Sequence, residues 1–563
     1  MTILQHSPQS FLFERSTLFQ SSLFENDLTA LIPELFLIST TLFLLVYGVI
    51  FTTKGPTASL LVLNMGGDAE ESLAKRGQKS DLGFPVLLRN VAGLVQLALF
   101  YTLLLLLFNP IGGGVFLYST FLLDSVTFFF KLLVICGTLF SLEISLGSLE
   151  SEEINSFEFS ILLLLSTGGM LFLISAGDLL SMYLGIEFQA LCFYVIAGFK
   201  RDSEFSTEAG VKYFLLGAFS SGLLLFGCSL LYGFTGVVSF WDLAQFFSFG
   251  SETFSYSFLF SDSYTESGTA SAALSSVGIG CEVGMIFLLV GFLFKLTAVP
   301  FHMWAPDVYE GAPLAVTGFF SIVPKAALLA VFIRLLYQSF FDLFSDYQPL
   351  LLFCAIGSMI GGSFAGLAQL RVKRLLAYSS IGHVGYLLLA LSCGTLEGIQ
   401  ASVIYLVIYM IMTTNIFALL LAPLRRFRFQ TLERIKYTTD LAMIGKTNPL
   451  FAITLAAGLF SIAGIPPLAG FYSKAFLFWS AISSSQYLGA FIGILSSAIS
   501  CFYYIRIVNI MYFQAPPSPL TFSPLSKGSS LIAGASFLFL VGFMGYPAPL
   551  YVASHKVALA LSM

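Results

Sequence analysis

Apolar runs of about 20 residues, separated by short polar breaks, repeat along the chain from residue 29 almost to its end. Each is long enough to cross roughly 30 Å of hydrocarbon as a helix rising 1.5 Å per residue. About fourteen such runs begin near residues 29, 86, 120, 157, 178, 208, 283, 313, 349, 373, 399, 450, 487 and 531. They predict an all-α polytopic membrane protein of about 14 transmembrane helices. The longest polar interruptions, 53–85, 234–280 and 424–448, are read as surface loops, the second rich in Ser, Gly and Tyr.

Composition sharpens this picture. Of the 563 residues 57% are hydrophobic and 10% charged, and the mean hydropathy is +0.89, which excludes a soluble globule. The net charge of -5 comes mostly from acidic loops and says little about partners. No nucleic-acid partner is expected. Seven cysteines (Cys136, Cys192, Cys228, Cys281, Cys354, Cys393 and Cys501) are scattered singly with no C-x-x-C pair. That argues against a disulfide framework, an iron-sulfur cluster or a structural zinc, so no metal site is expected. With neither a phosphate-binding loop nor a dinucleotide fingerprint, the chain is expected to hold no NADH itself. Residues 1–28 set Arg15 against Glu14, Glu25 and Asp27 without a continuous apolar stretch. They look like neither a signal peptide nor a basic transit peptide, so a mitochondrial location would imply synthesis inside the organelle.

Threading the chain through these spans divides its 26 lysines and arginines unequally. One side receives 18, from Lys54 to Lys527, and the other only Arg15, Arg334 and Lys556. Such a bias would dissolve if one span were wrongly added early in the chain, and it places both termini away from the basic side.

The remaining five, Lys131, Lys212, Lys295, Lys325 and Lys474, fall inside spans. Lys295 lies about 13 residues after Glu282, roughly 19 Å along a helix. Lys325 sits between Pro313 and Arg334. Both are near the midplane, where a lysine costs about 2.5 to 3.5 kcal/mol even on lenient scales. Pro300 cannot donate to the carbonyl of Leu296, so the helix loosens one residue after Lys295, and irregular backbone at this depth survives only when buried in protein or lining water.

A second break matches the first: FKLTAVP (294–300) aligns without gaps to FSIAGIP (460–466), pairing Pro300 with Pro466 and Lys295 with Ser461. The two runs are spans seven and twelve and cross in opposite directions. Paired interrupted helices in inverted halves point to a transport site between them, although seven residues alone are a weak match.

Candidate partners follow from the same reading. Glu187, in the fifth span, has no local cation and must find one on another helix, with Lys212 and Lys295 as candidates. Glu208 lies one turn before Lys212, which either forms a self-neutralising pair with it or snorkels. His302, just after the break, and His383, in YSSIGHVGY, are either proton relays or hydrogen-bonded structural residues. RVKR (371–374) and RRFRF (425–429) are read as topology determinants and lipid-headgroup contacts. Asp307 and Glu310 are read as helix caps or contacts to a neighbouring subunit, and Lys131 receives no role. Moving a proton against roughly 150 to 200 mV costs about 3.5 to 4.6 kcal/mol. That is a swing of about three pKa units, within reach of burial plus a carboxylate that comes and goes.

The segments YLGIEFQALCFYVIAGFKR, FSTEAGVKYFLLGAFSSGLLLFG, GFLFKLTAVPFHMWAPDVYEGAP, KRLLAYSSIGHVGY and FSIAGIPPLAGFYSK resemble the chain 2 family of NADH:ubiquinone oxidoreductase, antiporter-like membrane-arm subunits of respiratory complex I. The resemblance is strong over about 150–515, with wording closest to plant and algal mitochondrial forms. It implies two inverted five-helix repeats with broken helices 7 and 12, and proton translocation driven by quinone reduction elsewhere in the complex. Cofactors are implied to be absent from this chain, with NADH, FMN, iron-sulfur clusters and ubiquinone bound by other subunits. Carried over by motif, Glu187, Lys212, Lys295, Lys325 and Lys474 are the translocation residues. Partners implied are other membrane-arm subunits, including neighbouring antiporter-like ones, and lipids such as cardiolipin. The expected location is the mitochondrial inner membrane, multi-pass, with both termini on the intermembrane-space side.

The expected layout is an N-terminal segment (1–28), three N-terminal helices (29–150), a first repeat (151–336), a second, inverted repeat (349–515) and a C-terminal loop and last helix (516–563). In the reading adopted, Glu187 pairs with Lys212 and biases protonation of Lys295, which exchanges a proton through Lys325 toward Lys474. The alternatives are a structural membrane-arm subunit without a proton path and a stand-alone cation/proton antiporter.

Overall fold

The computed structural model describes residues 24–53, 85–109, 113–151, 156–248, 268–421, 424–426, 432–433, 435–514, 520–522 and 525–562. The apolar runs fold as helices because only a helix or a closed barrel satisfies every backbone group in lipid. A short helix α1 (Phe24–Ala30) leads into α2 (Ile32–Thr53), α3 (Pro85–Leu107) and α4 (Ser125–Ser151), which are the three N-terminal spans. Then come α5 (Glu158–Ile174), α6 (Leu179–Ala197), α7 (Glu204–Thr235) and α8 (Gly268–Leu296). After α8 the chain breaks, and short pieces follow: α9 (Trp304–Gly311), α10 (Leu314–Ile322) and α11 (Pro324–Arg334).

The second half runs α12 (Phe344–Leu367), α13 (Val372–Leu391), α14 (Leu396–Leu420), a broken pair α15 (Pro449–Ala463) and α16 (Ala469–Ser483), and α17 (Tyr487–Phe513). The chain ends with α18 (Lys527–Gly542) and α19 (Ala548–Ser562). Helix α19 packs on α14 and α4 and goes beyond the single last helix expected. Among the described residues twelve helices are long and apolar enough to cross a membrane. Two shorter apolar helices, Glu158–Ile174 and Pro449–Ala463, occupy the fourth and twelfth expected spans. The count of about fourteen rests on including them. Two small antiparallel sheets lie in connections, one pairing Gly114–Phe116 with Phe121–Leu123 and one joining 424–426 to 432–433 and 520–522.

Burial orders the layers. In the most apolar window of 314–339 every residue is buried within the protein, against 28% in that of Ile32–Phe51. The core is therefore α10, α11 and α14, with α2 on the periphery. The eighth expected span is two helices, because Pro324 cannot donate to the carbonyl of Phe320. That carbonyl instead accepts from the Tyr309 hydroxyl at 3.4 Å.

Both broken helices close the same way. After α8, Thr297 takes φ +68° and the N–H of Ala298 returns to the Leu293 carbonyl at 2.9 Å. After α15, Gly464 takes φ +86° and the N–H of Ile465 returns to Phe460 at 3.1 Å. This is the left-handed helix stop. It matches Thr297 with Gly464, one residue out of register with the sequence alignment, which is keyed on Phe and Pro. The counterpart of Lys295 is therefore Ile462, not Ser461.

Candidate functional site

The α8 break puts Lys295 in the last turn of its helix, its side chain 7% exposed, with its Nζ 3.9 Å from Glu187 Oε1 on α6 and 3.3 Å from the Tyr194 hydroxyl, to which it donates. Glu187 Oε1 has no hydrogen-bond partner, so the pair is a close electrostatic contact. This corrects the expected pairing of Glu187 with Lys212. Lys212, on the outer face of α7, instead pairs with Glu208 at 2.6 Å and with Asp307 of α9 at 3.4 Å, its side chain 44% exposed. Which lysine reaches Glu187 is decided by how α6 packs against its neighbours, and i,i+4 geometry had already supplied Lys212 with a carboxylate.

Lys325 is the second residue of α11, directly after the Pro324 kink, and is buried, with no carboxylate paired to it among the described residues. Its Nζ donates to the Tyr409 hydroxyl at 3.3 Å and lies 5.2 Å from the centre of that ring. Lys295 and Lys325 line one cavity of about 30 Å³ together with Gln189, Thr297 and Tyr309. Gln189 Oε1 and Thr297 Oγ1 are buried with no hydrogen-bond partner. The rest of the wall is largely apolar, including Ile186, Phe193, Phe320 and Leu328, but two amines and two unpaired oxygens give a cavity of this size the polar partners that an ordered water needs.

Beyond Tyr409 lies His383 on α13, with ring centres 5.1 Å apart. His383 Nδ1 hydrogen-bonds the Tyr405 hydroxyl at 2.5 Å, and the ring also faces Tyr386 at 6.1 Å. Lys474 lies 5.4 Å from the Tyr386 ring and donates to the carbonyls of Ile462 at 2.8 Å and Ala463 at 3.0 Å. The structure thus brings Glu187, Lys295, Lys325, His383 and Lys474 into one succession across both halves, half-buried at Glu187 and buried from Lys325 to Lys474. It leaves two candidates outside. Lys212 belongs to an exposed cluster, and His302 is half-buried with an unpartnered Nδ1.

Several neighbours are not what sequence suggested. Arg371 and Arg374 of RVKR face the α9 carboxylates: Arg371 pairs with Glu310, and Arg374 lies 3.4 Å from Glu310 and 3.7 Å from Asp307. Arg334, expected in a loop, is buried at the end of α11, 3.0 Å from Asp124 and donating to the Ile174 carbonyl at 3.2 Å. Lys131 meets Glu34 at 2.5 Å, with both side chains buried. For Lys131 the only sequence signal was a charge inside an apolar run, which names one partner and not the other.

Residues 176–500 match the family described as NADH:quinone oxidoreductase/Mrp antiporter, TM. The chain is 48% identical to NADH-ubiquinone oxidoreductase chain 2 of Marchantia polymorpha, over 96% of this chain and 100% of that one. It is 43% identical to the Arabidopsis thaliana protein of the same name, over 95% and 97%. NADH-quinone oxidoreductase subunit N 1 of Rhizobium meliloti is 41% identical over 79% of this chain and 87% of that protein. Among solved structures, a chain of respiratory complex I from Thermus thermophilus superposes with TM-score 0.65 at 27% identity, over 83% of this chain and 94% of that one. A chain of the Mrp complex from Dietzia shares the fold, with TM-score 0.71 at 20% identity, over 95% and 98%. The chain belongs to the NADH:quinone oxidoreductase/Mrp antiporter transmembrane family, on the branch formed by chain 2 and subunit N.

Proposed function

We propose that this chain is the proton-translocating chain 2 subunit of a mitochondrial complex I membrane arm. The observation that carries the reading is the continuous succession Glu187, Lys295, Lys325, Tyr409, His383, Tyr386, Lys474. Its three amines hold a proton in different surroundings: a carboxylate at 3.9 Å, a phenol, and two carbonyls. Approach or withdrawal of Glu187 changes the charge balance of the first alone, and the proton passes to Lys325 through the shared cavity. The tyrosines and His383 then relay it toward Lys474. Lys212 enters as part of the surface cluster with Glu208 and Asp307, and His302 has no step.

Relatives spanning nearly the whole chain carry the names of complex I subunits, which favours a place beside other membrane-arm subunits over a free-standing antiporter. NADH, FMN, iron-sulfur clusters and ubiquinone are assigned to other subunits. The location that fits is the mitochondrial inner membrane, with both termini away from the basic side. In the assembled complex, Lys295→Met lowers proton pumping per NADH oxidised or slows coupled turnover. Full pumping at normal rate sinks the reading.

A further inference from the structure

The central route leaves unused a set of charges in the N-terminal helices, outside the family-matched residues 176–500. Glu34, in the first turn of α2, and Lys131, in the second turn of α4, meet at 2.5 Å with side chains 0% and 3% exposed. Glu34 Oε1 takes the amine, while Oε2 is buried with no hydrogen-bond partner among the described residues. The carboxylate is therefore unsaturated where saturation is the rule. Lys131 is also not sealed in: with Asp124 it lines a cavity of about 340 Å³ formed by the start of α2, the end of α3 and the start of α4. This is the end of the helices opposite the segment between α2 and α3, which carries Lys54, Lys75, Arg76 and Lys79.

Asp124 stands at the rim, its side chain 41% exposed, and holds Arg334 at 3.0 Å. Arg334 ends α11, the helix that begins beside Lys325. Asp27 on α1 also has a buried Oδ1 with no hydrogen-bond partner among the described residues. Beneath the amine lies the Phe121 ring, 4.8 Å from Nζ.

We propose that Glu34 and Lys131 form a second proton-exchange site, open through the Asp124 cavity to the side away from the basic segments. The proposal rests on the reading that the chain translocates protons. A proton passing within the pair converts ammonium and carboxylate into amine and carboxylic acid with no change of total charge. A proton arriving from the cavity leaves Lys131 charged and Glu34 neutral, and its release by way of Asp124 restores the pair.

The discriminating variant is Lys131→Arg, which keeps a cation against Glu34 but does not give up its proton. In the assembled complex reconstituted in vesicles, Lys131→Arg is expected to assemble and oxidise NADH under uncoupled conditions, with proton translocation at least about tenfold slower. Asp124→Asn, which keeps an oxygen for Arg334, must slow translocation as well. Translocation at the wild-type rate in both variants overturns the site and leaves a structural clamp. Lys295→Met measured alongside separates the two readings: impaired there but intact in both N-terminal variants, only this site falls; intact there too, the central route falls with it.

Discussion

The two broken helices end in the same left-handed turn, yet they use their lysines differently. At the first break the Phe294 carbonyl accepts from Trp304 Nε1 at 3.0 Å. A neutral indole from the far side thus satisfies the helix end, and Lys295, on the near half, turns to Glu187. At the second break the lysine is itself the cap: Lys474, on the far half, crosses to the carbonyls of Ile462 and Ala463. The close fit there depends on Gly470, where a Cβ would lie 1.8 Å from the Ser461 carbonyl. Repeats of one architecture can therefore separate the holding of a helix end from the holding of a mobile proton, or combine them in one amine.

This contrast can be broken by substitution. Lys474→Met removes cap and amine together, leaving two buried carbonyls without that donor at about 1–3 kcal/mol each. The yield or melting temperature of the assembled complex falls along with its pumping. Lys295→Met releases no carbonyl, so its defect is confined to pumping; an equal loss of assembly in both variants would erase the distinction. Trp304→Phe keeps the stack on Tyr213, whose ring centre is 4.7 Å away, but takes from the Phe294 carbonyl one of its two donors, leaving the Thr297 N–H at 3.1 Å. The expected cost is about 0.5–1.5 kcal/mol in stability with the lysine chemistry retained, and a pumping defect without destabilisation would show that the indole does more than cap. The smallest effect belongs to Tyr194→Phe, which removes the hydroxyl 3.3 Å from Lys295. It changes the free energy of the amine's site by about 0.5–1.5 kcal/mol, read as a rate change of roughly tenfold or less, and a complete block would make Tyr194 an obligatory relay.

Much of the site was legible because charge in an apolar run is conspicuous. Lys295 and Lys325 were identified by depth, Lys474 by lying inside a span and by its motif, and the first break by Pro300. Pairing was not legible. Glu187 and Lys295 are far apart in the chain, as are Glu34 and Lys131, and only helix packing brings each pair together. Arg334 was placed in a loop because a polar residue was taken as the end of a run, whereas the helix continues inward and Asp124 meets its charge. The repeat was found one residue out of register, since a stop turn depends on which residue accepts positive φ and not on the flanking Phe and Pro. The kink at Pro324 was available in the sequence, beside Lys325, and parallels the proline that marked Lys295.

The contacts between α9 and α13 have a mechanical consequence. Lys373 donates to the carbonyls of Glu310 and Ala312 at 3.3 and 2.6 Å, while Arg371 and Arg374 grip Glu310. These bonds rivet the first half to the second at the basic end, so a gate that rocks one half against the other would have to shear all of them in each cycle. A carrier for a hydrated metal ion needs such a gate. A proton needs only side chains that turn and room for about one water molecule, and the cavity of about 30 Å³ between Lys295 and Lys325 offers that room without any such shear.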